Sequence, residues 1–182
     1  MTKDTQNPWT TISTRNVYDN RWIGVREDAV LRPDGEQGIY GVVHFKHIAI
    51  GVLAVEDDSI YLVGQYRYPL ERFSWEIPEG GCGEDEDPLE AARRELEEET
   101  GLSAKRWRKL GESHLSNSVS DELAVWYVAT ELTQGESRPE GTEQLEIRRV
   151  PLSDALRMVL NGEITDAISQ LAIMQFHLQP DT

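Results

Sequence analysis

GGCGEDEDPLEAARRELEEETGL, residues Gly80 to Leu102, is the stretch on which the reading of this chain turns. Asp87 is a good N-cap, Pro88 suits the first helical position, and Glu90 sits where it could close a capping box. Leu89, Ala92, Arg93 and Leu96 recur at helical spacing, and Gly101 is placed to end the helix in the left-handed conformation. Glu95, Glu98 and Glu99 stand at i, i+3 and i+4, so all three carboxylates leave one face. Like charges at that spacing repel, and a hard divalent cation bound through oxygen would remove the repulsion. A solvated acidic face is the alternative, and the helix alone does not choose between the two.

The complete spacing is more specific. Gly80, five residues, Glu86, seven residues, Arg94-Glu95-Leu96, one residue, Glu98-Glu99, one residue, Gly101-Leu102 fills every fixed position of the Nudix box. The chain therefore resembles the Nudix hydrolases, which cleave a nucleoside diphosphate linked to another moiety. The resemblance implies an α/β (α+β) Nudix fold: an α/β/α sandwich with a mixed central sheet and an N-terminal strand extension. It also implies that Glu95, Glu98 and Glu99 are the helix metal ligands, that Arg94 orients carboxylates around them, and that Glu86 stands in the outer metal shell. Such outer groups fix ligand geometry.

Composition bounds the rest. At 182 residues the chain makes one domain, with room for an appendage and for a real core. With 38% apolar and 28% charged residues it has the composition of a soluble globular protein. The net charge of -15 argues against nucleic acid as a partner, since phosphate backbones need clustered Lys and Arg. No apolar run suits a signal peptide or a membrane span, and Cys82, the sole cysteine, forms no intrachain disulfide. With no neighbouring base to activate it, Cys82 reads as a loop filler. The expected compartment is the cytoplasm.

Before the box, Thr10–Val17 and Trp22–Leu31 read as strands around a turn at Asp19-Asn20, and Arg32-Pro33-Asp34-Gly35 reads as a type I turn. Gly38–Phe45, Ile48–Val55 and Ile60–Tyr66 follow as strands, with a hairpin turn at Asp57-Asp58. Ile48–Val55 is nearly all apolar and is expected at the sheet centre. The expected division is residues 1–37 as a strand extension and dimerisation element, and 38–182 as the Nudix domain, with the box at 80–102. By the resemblance, such an extension pairs with a second subunit, so a homodimer is expected; covering a sheet edge is the alternative.

Gln65-Tyr66-Arg67 and Trp75-Glu76-Ile77-Pro78-Glu79-Gly80 resemble the QYR and WE-x-PAG segments of ADP-ribose and GDP-sugar pyrophosphatases. The resemblance makes Arg67 a phosphate ligand, a role suited to a planar, permanently charged fork. It makes the backbone carbonyl of Glu79 a metal ligand, although glutamate replaces the usual alanine. Asn117-Ser118 stands where ADP-ribose pyrophosphatases carry a proline, which favours a broader nucleotide-sugar specificity. Ser118 is a candidate for the terminal sugar, and Trp22 for stacking on the nucleobase. A packed interface tryptophan is the alternative for Trp22. His44, His47, His114 and His177 have no ligand spacing.

After the box, Trp107–Leu115, Leu123–Leu132 and Leu145–Pro151 read as strands. Related enzymes place a mobile catalytic glutamate in the loop that here spans Gln134–Gln144. Glu143 matches best and Glu140 is second, with Glu98 the general base should the loop acid fail. Two helices close the chain, Leu152–Leu160 and Thr165–Leu178, with Ser153 or Thr165 as caps and Gly162 between them.

The function implied is Mg2+-dependent hydrolysis, with Mn2+ as a substitute, of nucleoside diphosphate sugars such as ADP-ribose, ADP-glucose or GDP-mannose. The products are a nucleoside monophosphate and a sugar phosphate. The alternatives are a Nudix hydrolase of dinucleoside polyphosphates or other nucleotides, and a non-catalytic nucleotide-sensing regulator. The expected partners are a small-molecule nucleotide sugar and a second copy of the chain, with neither nucleic acid nor membrane.

Overall fold

A computed structural model describes residues 6–136 and 145–179. Contacts divide the chain into two compact units. The first holds the described residues up to His47 together with His114–Glu122, and the second holds Ile48–Ser113 and the described residues from Leu123 onward.

In the first unit β1 (Thr10–Asp19), β2 (Ile23–Leu31) and β3 (Gln37–Phe45) form an antiparallel sheet in that order. Asn20 makes the first turn, its Oδ1 accepting the N–H groups of Trp22 and Ile23 at 2.8 Å each. An asparagine that serves its own backbone this way is a strong turn former. At the second turn Gly35 N–H donates to Arg32 O at 2.9 Å, and Arg32 N–H to Glu36 O at 2.9 Å. That is the expected type I turn, extended by a bulge. Residues 116–122 are fastened to β3: Val43 N–H donates to Val119 O, and Asp121 Oδ1 accepts from Phe45 N–H.

The second unit contains β4 (Ile48–Glu56), β5 (Ser59–Arg67), β6 (Arg72–Glu76), β7 (Glu79–Cys82), β8 (Leu102–His114), β9 (Leu123–Gln134) and β10 (Glu146–Pro151). Its helices are α1 (Pro88–Thr100), α2 (Leu152–Leu160) and α3 (Ala167–Leu178). The strand order is β10-β5-β4-β9-β8, with β6 on β5 and β7 on β4. β4 runs parallel to β9 and antiparallel to β5 and β7, so the sheet is mixed. As its apolar run implied, β4 is central.

Alternation along the central strands splits the core into two layers. Ile50, Val52 and Ala54, with Val125, Tyr127 and Ala129, pack on Ala91, Ala92 and Leu96 of α1. The intervening residues turn the other way, where Ile168 of α3 lies against Gly51 and Trp126 Nε1 donates to Gln175 at 3.1 Å. This is the α/β/α sandwich. Cys82 is not loop filler: it ends β7, is 1% exposed, and belongs to the α1 side of the core.

Helix ends follow the sequence in part. Asp87 caps α1, accepting from Leu89 N–H at 2.9 Å and Glu90 N–H at 3.3 Å. Glu90 pairs with Arg93 at 2.8 Å instead of reaching back to the cap. Gly101 ends the helix at φ 71°, a conformation that costs glycine little. α3 starts later than expected, because Asp166 and not Thr165 caps it, accepting Ser169 N–H at 2.7 Å. The Thr165 hydroxyl is occupied by Arg72 at 2.6 Å. Pro151 precedes α2, which has no side-chain cap, and Ser153 lies inside the helix.

Candidate active site

α1 lies along β7, and this pairing assembles the carboxylates. Glu79 N–H on β7 donates to Glu99 Oε2 at 3.0 Å, and the Glu99 residue is 2% exposed. One residue on, Gly80 carries no Cβ; a methyl there would run into the Glu95 carboxylate. The head of Glu95 therefore rests on the strand backbone, an approach that only glycine permits.

Arg94 organises the outer side. Its Nε and Nη2 grip Glu86 with two bonds of 3.0 Å, its Nη1 donates to Glu95 at 2.7 Å and Glu98 at 3.1 Å, and Nη2 also reaches Gly81 O at 2.9 Å. One guanidinium thus binds three carboxylates and the strand. The hydrogen bond from Arg94 holds the Glu86 carboxyl below the usual carboxylate range. The same bond is the main cause that raises Arg94.

The donor set fits a hard divalent cation. Glu95, Glu98 and Glu99 supply carboxylate oxygens, and β7 supplies backbone carbonyls beside them. Among the described residues no three His, Cys, Asp or Glu side chains form a ready-made metal cage. Arg94 instead supplies the positive charge that ties Glu95 to Glu98.

A second array surrounds Arg67 at the end of β5. Its Nε donates to both oxygens of Glu76, at 3.1 and 3.0 Å, and its Nη2 donates to Glu76 Oε2 at 2.5 Å and to Glu79 Oε1. Burial works against the charge on Arg67, but the Glu76 hydrogen bond and the charges of Glu79, Glu76 and Asp166 outweigh it and raise the group. Burial, followed by the charges of Asp166 and Glu76, pushes the Glu79 carboxyl well above its usual range, against the pull of Arg67. Glu76 and Asp166 were not singled out from the sequence. The motif WEIPEG pointed to Glu76, but nothing local announces Asp166, which α3 brings in.

Trp22 and Ser118 belong to the first unit. Trp22 is exposed, with the Arg21 guanidinium 4.1 Å over its ring. The Ser118 carbonyl accepts from Tyr40 Oη at 2.6 Å. His44, unassigned from the sequence, pairs through Nδ1 with Asp121 at 2.6 Å. Glu140 and Glu143 lie outside the described residues.

A mixed sheet between helices, carrying clustered carboxylates where a helix meets a glycine strand, is the architecture of a Nudix enzyme. Residues 45–169 match the NUDIX domain family, and residues 9–43 match the nucleoside diphosphate sugar hydrolase N-terminal domain. The chain belongs to the Nudix hydrolase family. It is 36% identical over 173 residues to an ADP-ribose pyrophosphatase of Bacillus subtilis, covering 93% of this chain and 92% of that one. It is 33% identical to an ADP-ribose pyrophosphatase of Mycobacterium tuberculosis, over 94% of this chain and 84% of that one. It is also 31% identical to a methanol dehydrogenase activator of Bacillus methanolicus, over 93% and 92% of the two chains. The crystal structure of an ADP compounds hydrolase superposes with a TM-score of 0.86 at 20% identity, over 96% of this chain and 95% of that one, and shares the fold. Among the described residues no helix is long and apolar enough to cross a membrane.

Proposed function

We propose that the protein hydrolyses the diphosphate bridge of nucleoside diphosphate sugars, ADP-ribose first among them, to a nucleoside monophosphate and a sugar phosphate in the cytoplasm. The observation that carries this reading is the similarity, over more than nine-tenths of the chain, to two ADP-ribose pyrophosphatases. The site supports it, because its carboxylates and its arginines answer the two needs of diphosphate hydrolysis.

Glu95, Glu98, Glu99 and the Glu79 carbonyl would hold magnesium, or manganese in its place. When bound, such a cation engages carboxylates and phosphate oxygens together and acidifies an attacking water. The chain's own groups do the rest. Arg94 keeps Glu86, Glu95 and Glu98 in register from one side. Arg67, held in plane by Glu76, offers Nη1 to a phosphate oxygen and stabilises charge there as the bridging P–O bond breaks. A carboxylate accepts the proton of the attacking water as its oxygen bonds to phosphorus: Glu143 first, Glu140 second, and Glu98 among the described residues. Trp22 would stack on the base and Ser118 would meet the sugar. The strands of residues 9–43 support a homodimer.

Product analysis with magnesium and a panel of ADP-ribose, ADP-glucose, GDP-mannose and a dinucleoside polyphosphate tests the reading. Nucleoside monophosphate should appear from the sugars and vanish on chelation. Glu99→Gln should lower kcat at least about a hundredfold, the upper end of the loss when a group that only orients a metal ligand is removed, with circular dichroism unchanged. Turnover surviving both chelation and this substitution would overturn the metal assignment.

A further inference from the structure

A guanidinium has two faces for gripping an oxyanion: the side edge, Nε with Nη2, and the end, Nη1 with Nη2. In Arg67 the side edge belongs to Glu76, which accepts from Nε and from one N–H of Nη2. The other N–H of Nη2 goes to Glu79 Oε1. Half of the end fork is therefore already taken, and among the described residues only Nη1 remains for a phosphate. Glu79 is well placed to keep its hold. Its side chain is only 12% exposed, and its Oε1 is bonded to Nη2.

Resting on the phosphate reading of Arg67 given above, we propose that Glu79 is a positioning residue that withholds half of Arg67's end fork and so sets the strength of its phosphate grip. The enzyme then grips a substrate phosphate through one nitrogen instead of two, and lets monophosphate products go. Glu76 fixes the plane of the guanidinium, so removing Glu79 leaves Arg67 in place and completes the fork. The gain falls on every phosphate that reaches Arg67, product included, and it requires no change at the carboxylates of α1.

The experiment is the binding of AMP in the presence of magnesium, by calorimetry and as competitive inhibition of ADP-ribose hydrolysis. One charge-assisted hydrogen bond is at stake, so Glu79→Ala should tighten AMP about tenfold and lower KM in parallel. Glu79→Gln keeps an acceptor oxygen for Nη2, so its AMP affinity should gain far less than that of Glu79→Ala, which also guards against a variant that misfolds. In an Arg67→Ala background Glu79→Ala should change nothing further. AMP binding that is unchanged or weaker in Glu79→Ala, or Glu79→Gln gaining as much as Glu79→Ala, would overturn the proposal. So would an equal gain without Arg67. If Arg67→Ala alone leaves AMP binding untouched, the phosphate reading of Arg67 falls and the proposal with it. A panel without nucleotide-sugar cleavage, alongside the expected AMP results, would strike the substrate class alone.

Discussion

At the scale of single residues, Arg94 is the hub of the site. Its two bonds to Glu86 are the geometry that guanidinium and carboxylate prefer, and they are charge-assisted. Because the bond to Arg94 lowers the folded-state pKa of Glu86, deprotonated Glu86 contributes stability above its unfolded value of about 4.3. That contribution is lost as pH falls through the lower, folded value. Both side chains are about a third exposed, so the effect is modest and screened by salt. Denaturant titrations from pH 7 to pH 3 should show a shallower acid loss in Glu86→Gln than in the parent; identical acid limbs would refute the assignment. The residues of this hub were legible in the sequence because the box fixes Arg94, Glu95 and Glu98 on one helix and sets Glu86 just before its cap. The partners of Arg67 were not. Glu76 lies in the WEIPEG motif but stands opposite Val63, not Arg67, in the β5–β6 register, and Asp166 arrives from α3, so their meeting at Arg67 depends on the fold.

At the scale of the element, α1 shows how local signals and packing agree. Asp87 and Pro88 start it, Ala91, Ala92 and Leu96 bury one face, and Gly101 stops it two residues beyond Glu99. Gly101 N–H donates to Glu97 O at 2.8 Å, and its carbonyl accepts from Gly135 N–H at 2.7 Å. A side chain at φ 71° costs about 1–2 kcal/mol, so Gly101→Ala should lower the melting temperature by roughly 2–4 °C per kcal/mol for a chain of this size. A melting temperature equal to the parent's would show that the helix end relaxes elsewhere. Where local signals and tertiary pairing part company, the sequence misleads. Ser103-Ala104-Lys105-Arg106 has no strand alternation, yet β8 begins at Leu102, because pairing with β9 decides where a strand starts. Cys82 likewise reads as loop until β7 pairs with β4 and buries it.

At the scale of the whole molecule, charge and exposed apolar surface oppose each other. Every residue of β1 is exposed, and Ile12, Val17, Tyr18 and Ile39 show more than half of their surface to water. Among the described residues β1 pairs with β2 alone and so ends its sheet, an edge that invites a partner. Burial of such side chains contributes roughly 25 cal/mol per Å². Against it stands the repulsion between two chains of charge -15 each. Repulsion between exposed charges is screened over about 10 Å at 0.1 M salt, whereas apolar burial is not weakened by salt. The proposed homodimer should therefore tighten as sodium chloride is raised, with a mass near twice the chain's 20.7 kDa in sedimentation equilibrium. Ile39→Glu places a further negative charge on the most exposed isoleucine of this sheet, so it should loosen the dimer most at low salt. A single-chain mass at every salt concentration would leave the strands of residues 9–43 as a cover for the sheet of one subunit. A dimer indifferent to both salt and Ile39→Glu would place the interface on another surface.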